Sequence, residues 1–184
     1  MASNGAEVRR YSLSGEVLAL PIDMFASKGA AWAAFEEVYR VHGARLKSMA
    51  YNLLGNEQDA EDAVQEAFLK ACRGTAGFRG GAAAHTWVYR ILVNLCLDEG
   101  RRRGRRPVMA VDVDAASREA GADLRVALRQ AMGQLPARQR AVFLMAAVEG
   151  LPHGEIATIL EISETNSRTL LLEARRQLQE LLTK

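Results

Sequence analysis

The chain has 184 residues, 49% of them hydrophobic and 25% charged, a balance that suits a globular protein of one large domain or two small ones. Its formal net charge is only +2, which excludes a uniformly cationic coat, so any nucleic-acid contact has to come from a local patch. No apolar run approaches the roughly 18 residues of a membrane span, and the N-terminal stretch lacks a signal-peptide pattern, so a cytoplasmic protein is expected.

In chain order, residues 1–28 are weakly patterned and read as a tail, with Val17 to Leu20 packing on the body. A long helix is predicted next, because Phe35, Val38, Tyr39, Leu46, Met49, Leu53 and Leu54 recur at helical spacing before Gly55-Asn56 stops them. A second helix opens with Glu57, Asp59, Glu61 and Asp62, acids that suit the positive end of a helix dipole. Its apolar set is Ala60, Ala63, Val64, Ala67, Phe68 and Ala71. Phe78-Arg79-Gly80-Gly81 reads as a loop, and a third helix is predicted from about Ala83 to Arg103 with Trp87, Ile91, Leu92, Leu95 and Cys96 on its buried stripe. Five arginines in the six residues 101–106 then lead to Pro107 and a linker over 107–122.

Helices resume at Asp123, with Leu124, Ala127, Leu128 and Ala131 as one stripe. Leu135-Pro136 opens a helix carrying Val142, Phe143 and Met145. Leu151-Pro152 opens a short one carrying Ile156, Ile159 and Leu160. Ser163 is placed to cap a last helix with Leu171, Ala174, Leu178 and Leu181 on one face. No strand-like alternation of useful length is visible, so an all-α fold is expected. Cys72 and Cys96 have no metal-ligand spacing around them and read as small core residues. His42, His85 and His153 form no metal or catalytic pattern, and no nucleophile motif or phosphate loop is present, so neither an enzyme nor a cofactor is expected.

Three segments carry chemistry. Asp62, Gln65, Glu66 and Leu69 share a helix face at three- and four-residue spacing, which reads either as a solvated side or as an acidic surface for a basic protein. Phe78, Arg79, His85, Trp87, Tyr89, Arg90 and Asn94 interleave rings with cations ahead of the arginine run, the pattern that holds single-stranded DNA by stacking while cations follow its backbone. Trp87 also fits the buried stripe, and the arginines alone could be a basic linker. The short helix, the tight turn at Glu161-Ile162-Ser163 and the longer helix have helix-turn-helix spacing, with Glu164, Thr165, Asn166, Arg168 and Thr169 at the groove-entering end. A plain helical hairpin with a polar face is the competing reading.

The strings DAEDAVQEAFLKAC and FRGGAAAHTWVYRILVNLCLDEGRRR resemble region two of the extracytoplasmic-function (ECF) group of sigma-70 factors, and LPARQRAVFLMAAVEGLPHGEIATIL resembles the start of their region four. The resemblance implies two small helical domains, a region-two bundle over 29–106 and a region-four helix-turn-helix over 123–184, on a flexible linker. It implies a factor that binds core RNA polymerase and directs promoter recognition, DNA melting and transcription initiation. By the same resemblance Asp62, Gln65, Glu66, Phe68 and Leu69 meet the polymerase. Phe78, Arg79, Trp87, Tyr89, Arg90, Asn94, Arg101, Arg102 and Arg103 meet the minus-ten element. Thr165, Asn166, Arg168, Thr169 and Arg175 meet the minus-thirty-five element. An anti-sigma factor is implied as a further partner; no small-molecule substrate and no membrane insertion are expected. Leu170 stands where the family carries an arginine, which leaves open an alternative: a sigma-like mimic that sequesters an anti-sigma factor.

Overall fold

The structure, a computed structural model, describes residues 8–13, 16–21, 29–74, 84–103 and 122–183. Three helices build a first lobe: α1 (Gly29–Leu54), α2 (Glu57–Arg73) and α3 (Ala84–Arg102), each packed on the other two. Gly55 ends α1 at φ 76°, a left-handed conformation that favours glycine, and its N–H donates to the Tyr51 carbonyl at 2.7 Å. Asn56 caps α2, its side chain accepting from the Asp59 N–H at 3.0 Å. The lobe's core joins Phe35, Leu46 and Met49 from α1, Val64 and Phe68 from α2, and Val88, Leu92 and Val93 from α3. Burying each large side chain contributes about 1.5–3 kcal/mol. Cys72 and Cys96 are buried in this core and form no disulfide, and burial pushes the Cys96 pKa up to about 12, so it behaves as a small apolar residue.

The second lobe holds α4 (Ala122–Gln134), α5 (Ala137–Phe143), α6 (His153–Leu160) and α7 (Glu164–Leu182). A π turn over Leu144–Val148 continues α5. Ser163 caps α7 as its sequence position predicts, with Oγ accepting from the Asn166 N–H at 3.1 Å. Ile156, Ile159 and Leu160 of α6 are buried together with Leu171, Ala174 and Leu178 of α7, so the short helix is held by tertiary packing rather than by its own propensity. Two polar ties fasten the unit: His153 Nδ1 with the hydroxyl of fully buried Ser167 at 2.8 Å, and Gln139 Nε2 donating to Glu173 at 2.9 Å.

Three expectations are corrected. Two segments of the stretch read as tail are paired strands: β1 (Val8–Leu13) lies antiparallel to β2 (Glu16–Pro21), with Val8 opposite Pro21 and Leu13 opposite Glu16. Arg9-Arg10 breaks the period-two alternation, so the pairing shows only when the segments lie side by side; both lobes are all-α as expected. In α3 the buried stripe is rotated, with Val88, Tyr89, Leu92, Val93, Cys96 and Leu97 buried and Trp87, Ile91 and Leu95 only half-buried. In α4 the buried side is Ala131, Met132 and then Leu135, while Ala127 and Leu128 are exposed.

The lobes pack on each other. α3 lies against α6 and also meets α5, and α1 touches α5. The linker residues 107–121 lie outside the described residues. Among the described residues no helix is long and apolar enough to cross a membrane.

Candidate functional site

On α2 the side chains of Asp62, Gln65 and Glu66 are exposed in one row. Gln58 Nε2 donates to Asp62 at 3.3 Å, and Lys70 pairs with Glu66 at 2.9 Å; such exposed contacts are worth at most about 1 kcal/mol and yield to a partner. The row edges an open groove of about 300 Å³ between α2 and α3. Two residues expected on this face are placed otherwise. Phe68 is 2% exposed and meets Tyr39 edge-to-face at 5.0 Å, so it supports the face from the core instead of forming it. Leu69 is half-buried at its margin. The spacing puts Phe68 in the apolar set of α2, where the structure has it; only the family resemblance places it on the docking face.

On α3, Asn94 is exposed and Trp87 half-buried, while Tyr89 is 1% exposed. Tyr89 lies under the second lobe, where its hydroxyl donates to Glu149 at 3.4 Å; burial first and the Glu149 charge second hold the phenol well above its ordinary pKa. Phe78 and Arg79, assigned to the same DNA contact, lie outside the described residues. The arginines at the end of α3 all carry acids: Arg101 with Asp98 at 3.2 Å, Arg102 with Glu99 at 3.7 Å, and Arg103 with Glu99 at 2.7 Å. Arg103 also makes a two-pronged pair with Asp59 that ties the end of α3 to the start of α2, and that hydrogen bond holds the Asp59 carboxyl below its usual range. Arg103 is thereby an anchor between helices, whereas Arg101 and Arg102 keep exposed guanidinium groups.

On α7, Thr165, Asn166, Arg168, Thr169 and Arg175 are all exposed. The first four cluster at the helix start, one element away from the α6 turn, which is helix-turn-helix geometry. Arg168 pairs with Glu164, and Thr169 Oγ1 donates to the Thr165 carbonyl at 3.1 Å. Leu170 is half-buried against the core, and the apolar residue that stands out is Leu172, 70% exposed.

Sequence reasoning missed the acids of the second lobe. Glu149 follows the π turn, Glu155 sits in α6 and Glu161 closes α6. They face Tyr89, His85 and Arg90 of α3 respectively. Nothing in the spacing of 149, 155 and 161 marks them as a set; only the packing of α6 on α3 does. His85 also stacks on His42 at 5.4 Å.

The histidine pair gives a pH expectation. Burial, then the His85 and Arg45 charges, lower the His42 pKa below its ordinary 6.5. The folded chain therefore binds that proton less readily than the unfolded one. The stabilisation is complete above pH 6.5 and lost as pH falls toward the lowered folded value. Burial raises the Glu149 pKa above 4.5, a contribution of opposite sign: complete below pH 4.5 and lost as pH rises through the folded value. Melting temperature followed by circular dichroism should fall as pH drops below 6.5, and His42→Gln should flatten that slope; an unchanged slope rejects the assignment to His42.

The comparisons with known proteins match this architecture lobe by lobe. Residues 38–106 match the family described as Sigma-70 region 2, and residues 125–178 match Sigma-70, region 4. The chain is similar to the ECF RNA polymerase sigma factor SigM of Mycobacterium tuberculosis, 33% identical over 151 residues that cover 81% of this chain and 77% of that protein. It is 30% identical over 166 residues to the RNA polymerase sigma-H factor of Pseudomonas aeruginosa, covering 81% and 86%. Among solved structures it resembles the sigma factor RpoE of Bartonella quintana, determined in complex with the anti-sigma factor NepR, with a TM-score of 0.65, 25% identity and coverage of 81% and 96%. Two helical lobes in this order, each matching its own sigma region, make the chain a member of the ECF group of the sigma-70 family.

Proposed function

We propose that the chain binds core RNA polymerase and carries it to promoters, docking through Asp62, Gln65 and Glu66. In this reading Phe78, Arg79, Trp87, Tyr89, Arg90 and Asn94, with Arg101 and Arg102, capture the melted minus-ten strand. Flipping and unstacking bases costs a few kcal/mol, offset by stacking and hydrogen bonds on this helix and the loop before it. The start of α7 enters the major groove at the minus-thirty-five element. There Asn166 suits adenine, Arg168 suits guanine or phosphate, and Thr165, Thr169 and Arg175 contribute phosphate or base contacts. The observation that carries the reading is the pairing of an exposed acidic row on α2 with a helix-turn-helix whose second helix starts with exposed polar residues.

An anti-sigma factor is the regulatory partner this reading implies, as in the RpoE–NepR complex of the similar structure. The mimic reading draws on Leu172 and on the Arg168–Glu164 pair, which give α7 an apolar spot and a partly neutralised cation. Transcription in vitro with core polymerase separates the two. Initiation from a specific promoter set is the expected result, whereas anti-sigma binding with no initiation would establish the mimic.

A further inference from the structure

Resting on the promoter-binding role above, we propose that Arg103 is a positioning residue for the melted strand and not itself a contact to it. Its fork on Asp59 clamps the end of α3 to the start of the docking helix α2, and that clamp sets where Arg101 and Arg102 stand when polymerase is bound.

The Arg103 guanidinium is already occupied by protein. Nη1 and Nη2 donate to the two oxygens of Asp59, the second at 2.9 Å, and Nε donates to Glu99 at 2.7 Å. A phosphate would have to displace both carboxylates, one of them bound in the side-by-side geometry that a phosphate itself would use. Its neighbours are held less. Arg101 meets Asp98 at 3.2 Å and Arg102 approaches Glu99 only at 3.7 Å, beyond hydrogen-bond length. Their side chains keep 70% and 80% exposure, against 50% for Arg103.

Local structure favours both ends of the clamp. Asp59 lies in the first turn of α2, where its N–H donates to the Asn56 cap at 3.0 Å. The Arg103 N–H donates to the Glu99 carbonyl at 3.0 Å and so continues the ladder of α3. An acid at a helix start and a cation at a helix end each suit the helix dipole. The pair therefore ties two helix ends, 44 residues apart in the chain, through groups that each helix already favours there. A lysine at 103 would keep the charge but not the fork, because an ammonium is a point charge without a planar pair of donors.

The place of the clamp gives it a role. Asp59, Asp62 and Glu66 follow one another at helical spacing, so the clamp acid continues the docking row. Asp59, Asp62, Glu66, Arg102 and Arg103 line one groove between α2 and α3. A polymerase surface seated on the row borders the clamp, and the two exposed arginines directly precede its other end. The acids that meet polymerase and the cations that meet the strand are thus joined at this end of the lobe by one ion pair.

The test titrates holoenzyme, reconstituted from core RNA polymerase and the full chain, onto a fluorescein-labelled promoter fragment that the wild type selects from a randomised pool, over a range of potassium chloride. Each phosphate contact to a single strand adds about 0.7 to the slope of log affinity against log salt. Arg103→Lys should lower that slope by at least about 0.7 although net charge is unchanged, and should weaken binding at least about fivefold at low salt. Asp59→Asn should weaken binding too, and Asp59→Asn/Arg103→Lys should bind no worse than the weaker single variant, since both break one clamp. The melting temperature should move by no more than about 3 °C in either single variant, because the pair is partly exposed. Arg103→Lys should also keep wild-type affinity for core polymerase; these two readouts separate lost positioning from a loosened fold. A direct strand contact predicts otherwise: Arg103→Lys keeps the slope, and Asp59→Asn tightens binding by freeing the guanidinium. Either of those results, losses that add in the double variant, a larger shift in melting temperature, or loss of core affinity in Arg103→Lys overturns the clamp. A wild type that selects no promoter from the pool overturns the promoter-binding role and the clamp with it, whereas a selected promoter on which the variants behave as for a direct contact overturns the clamp alone.

Discussion

Phe68→Ala is expected to cost about 3–5 kcal/mol and to abolish polymerase binding without touching the docking row. Phe68 is 2% exposed and meets Tyr39 edge-to-face at 5.0 Å and 82°. Removing the ring deletes its transfer free energy, its aromatic pair and the packing of α2 on α1, and leaves a cavity that the surrounding helices fill only in part. A lobe of this size has a total stability of similar magnitude, so a large share of the molecules would have the first lobe unfolded at room temperature. Phe68→Leu, which retains most of the volume, should cost under about half as much and leave binding measurable. Chemical denaturation followed by circular dichroism reads both. An alanine variant as stable as the wild type would place Phe68 on the surface, contrary to the packing.

Asp62→Lys/Glu66→Lys should do the reverse. Both side chains are exposed, and their contacts with Gln58 and Lys70 are surface pairs, so stability should change by less than about 0.5 kcal/mol per site. Affinity for core polymerase should fall about 100-fold, since two like-charge contacts would replace two favourable ones at a basic docking surface. Loss of affinity with an unchanged melting curve identifies the row as an interface. Unchanged affinity would return it to a solvated helix side, the reading its charge pattern also allows. The two variants together separate what the face presents from what holds it in place.

The difference between Phe68 and Asp62 also shows how far the chain could be read before its packing was known. Helix positions were legible because apolar residues recur at 3.6-residue spacing and because the stop and start signals are local: Gly55 in a left-handed conformation, Asn56 and Ser163 as caps. The set Ala60, Val64, Ala67, Phe68 and Ala71 is buried as its spacing predicts. The error arose one step later, at the margin of the stripe. In α3 it placed Trp87 in the core and left Tyr89 outside, whereas in α2 the stripe was right and only the family resemblance put Phe68 on the docking face. A helix wheel gives angles but not where the neighbouring helix ends, and in α3 the neighbour is the other lobe.

The sequence by itself determined the elements of the two helical lobes, the caps that bound them, the exposed polar start of α7 and the family. These depend on interactions within a few residues or on motifs contiguous in the chain. The tertiary structure alone decided the β1–β2 pairing, the anchoring of Arg103 to Asp59 across 44 residues, and the seam in which Glu149, Glu155 and Glu161 meet Tyr89, His85 and Arg90. Each joins residues brought close by packing or strand pairing, and a polar contact between surfaces leaves no periodicity in either partner. The sequence names the groups proposed to meet DNA, but only the arrangement of the lobes shows that acids of the same chain pair with some of them.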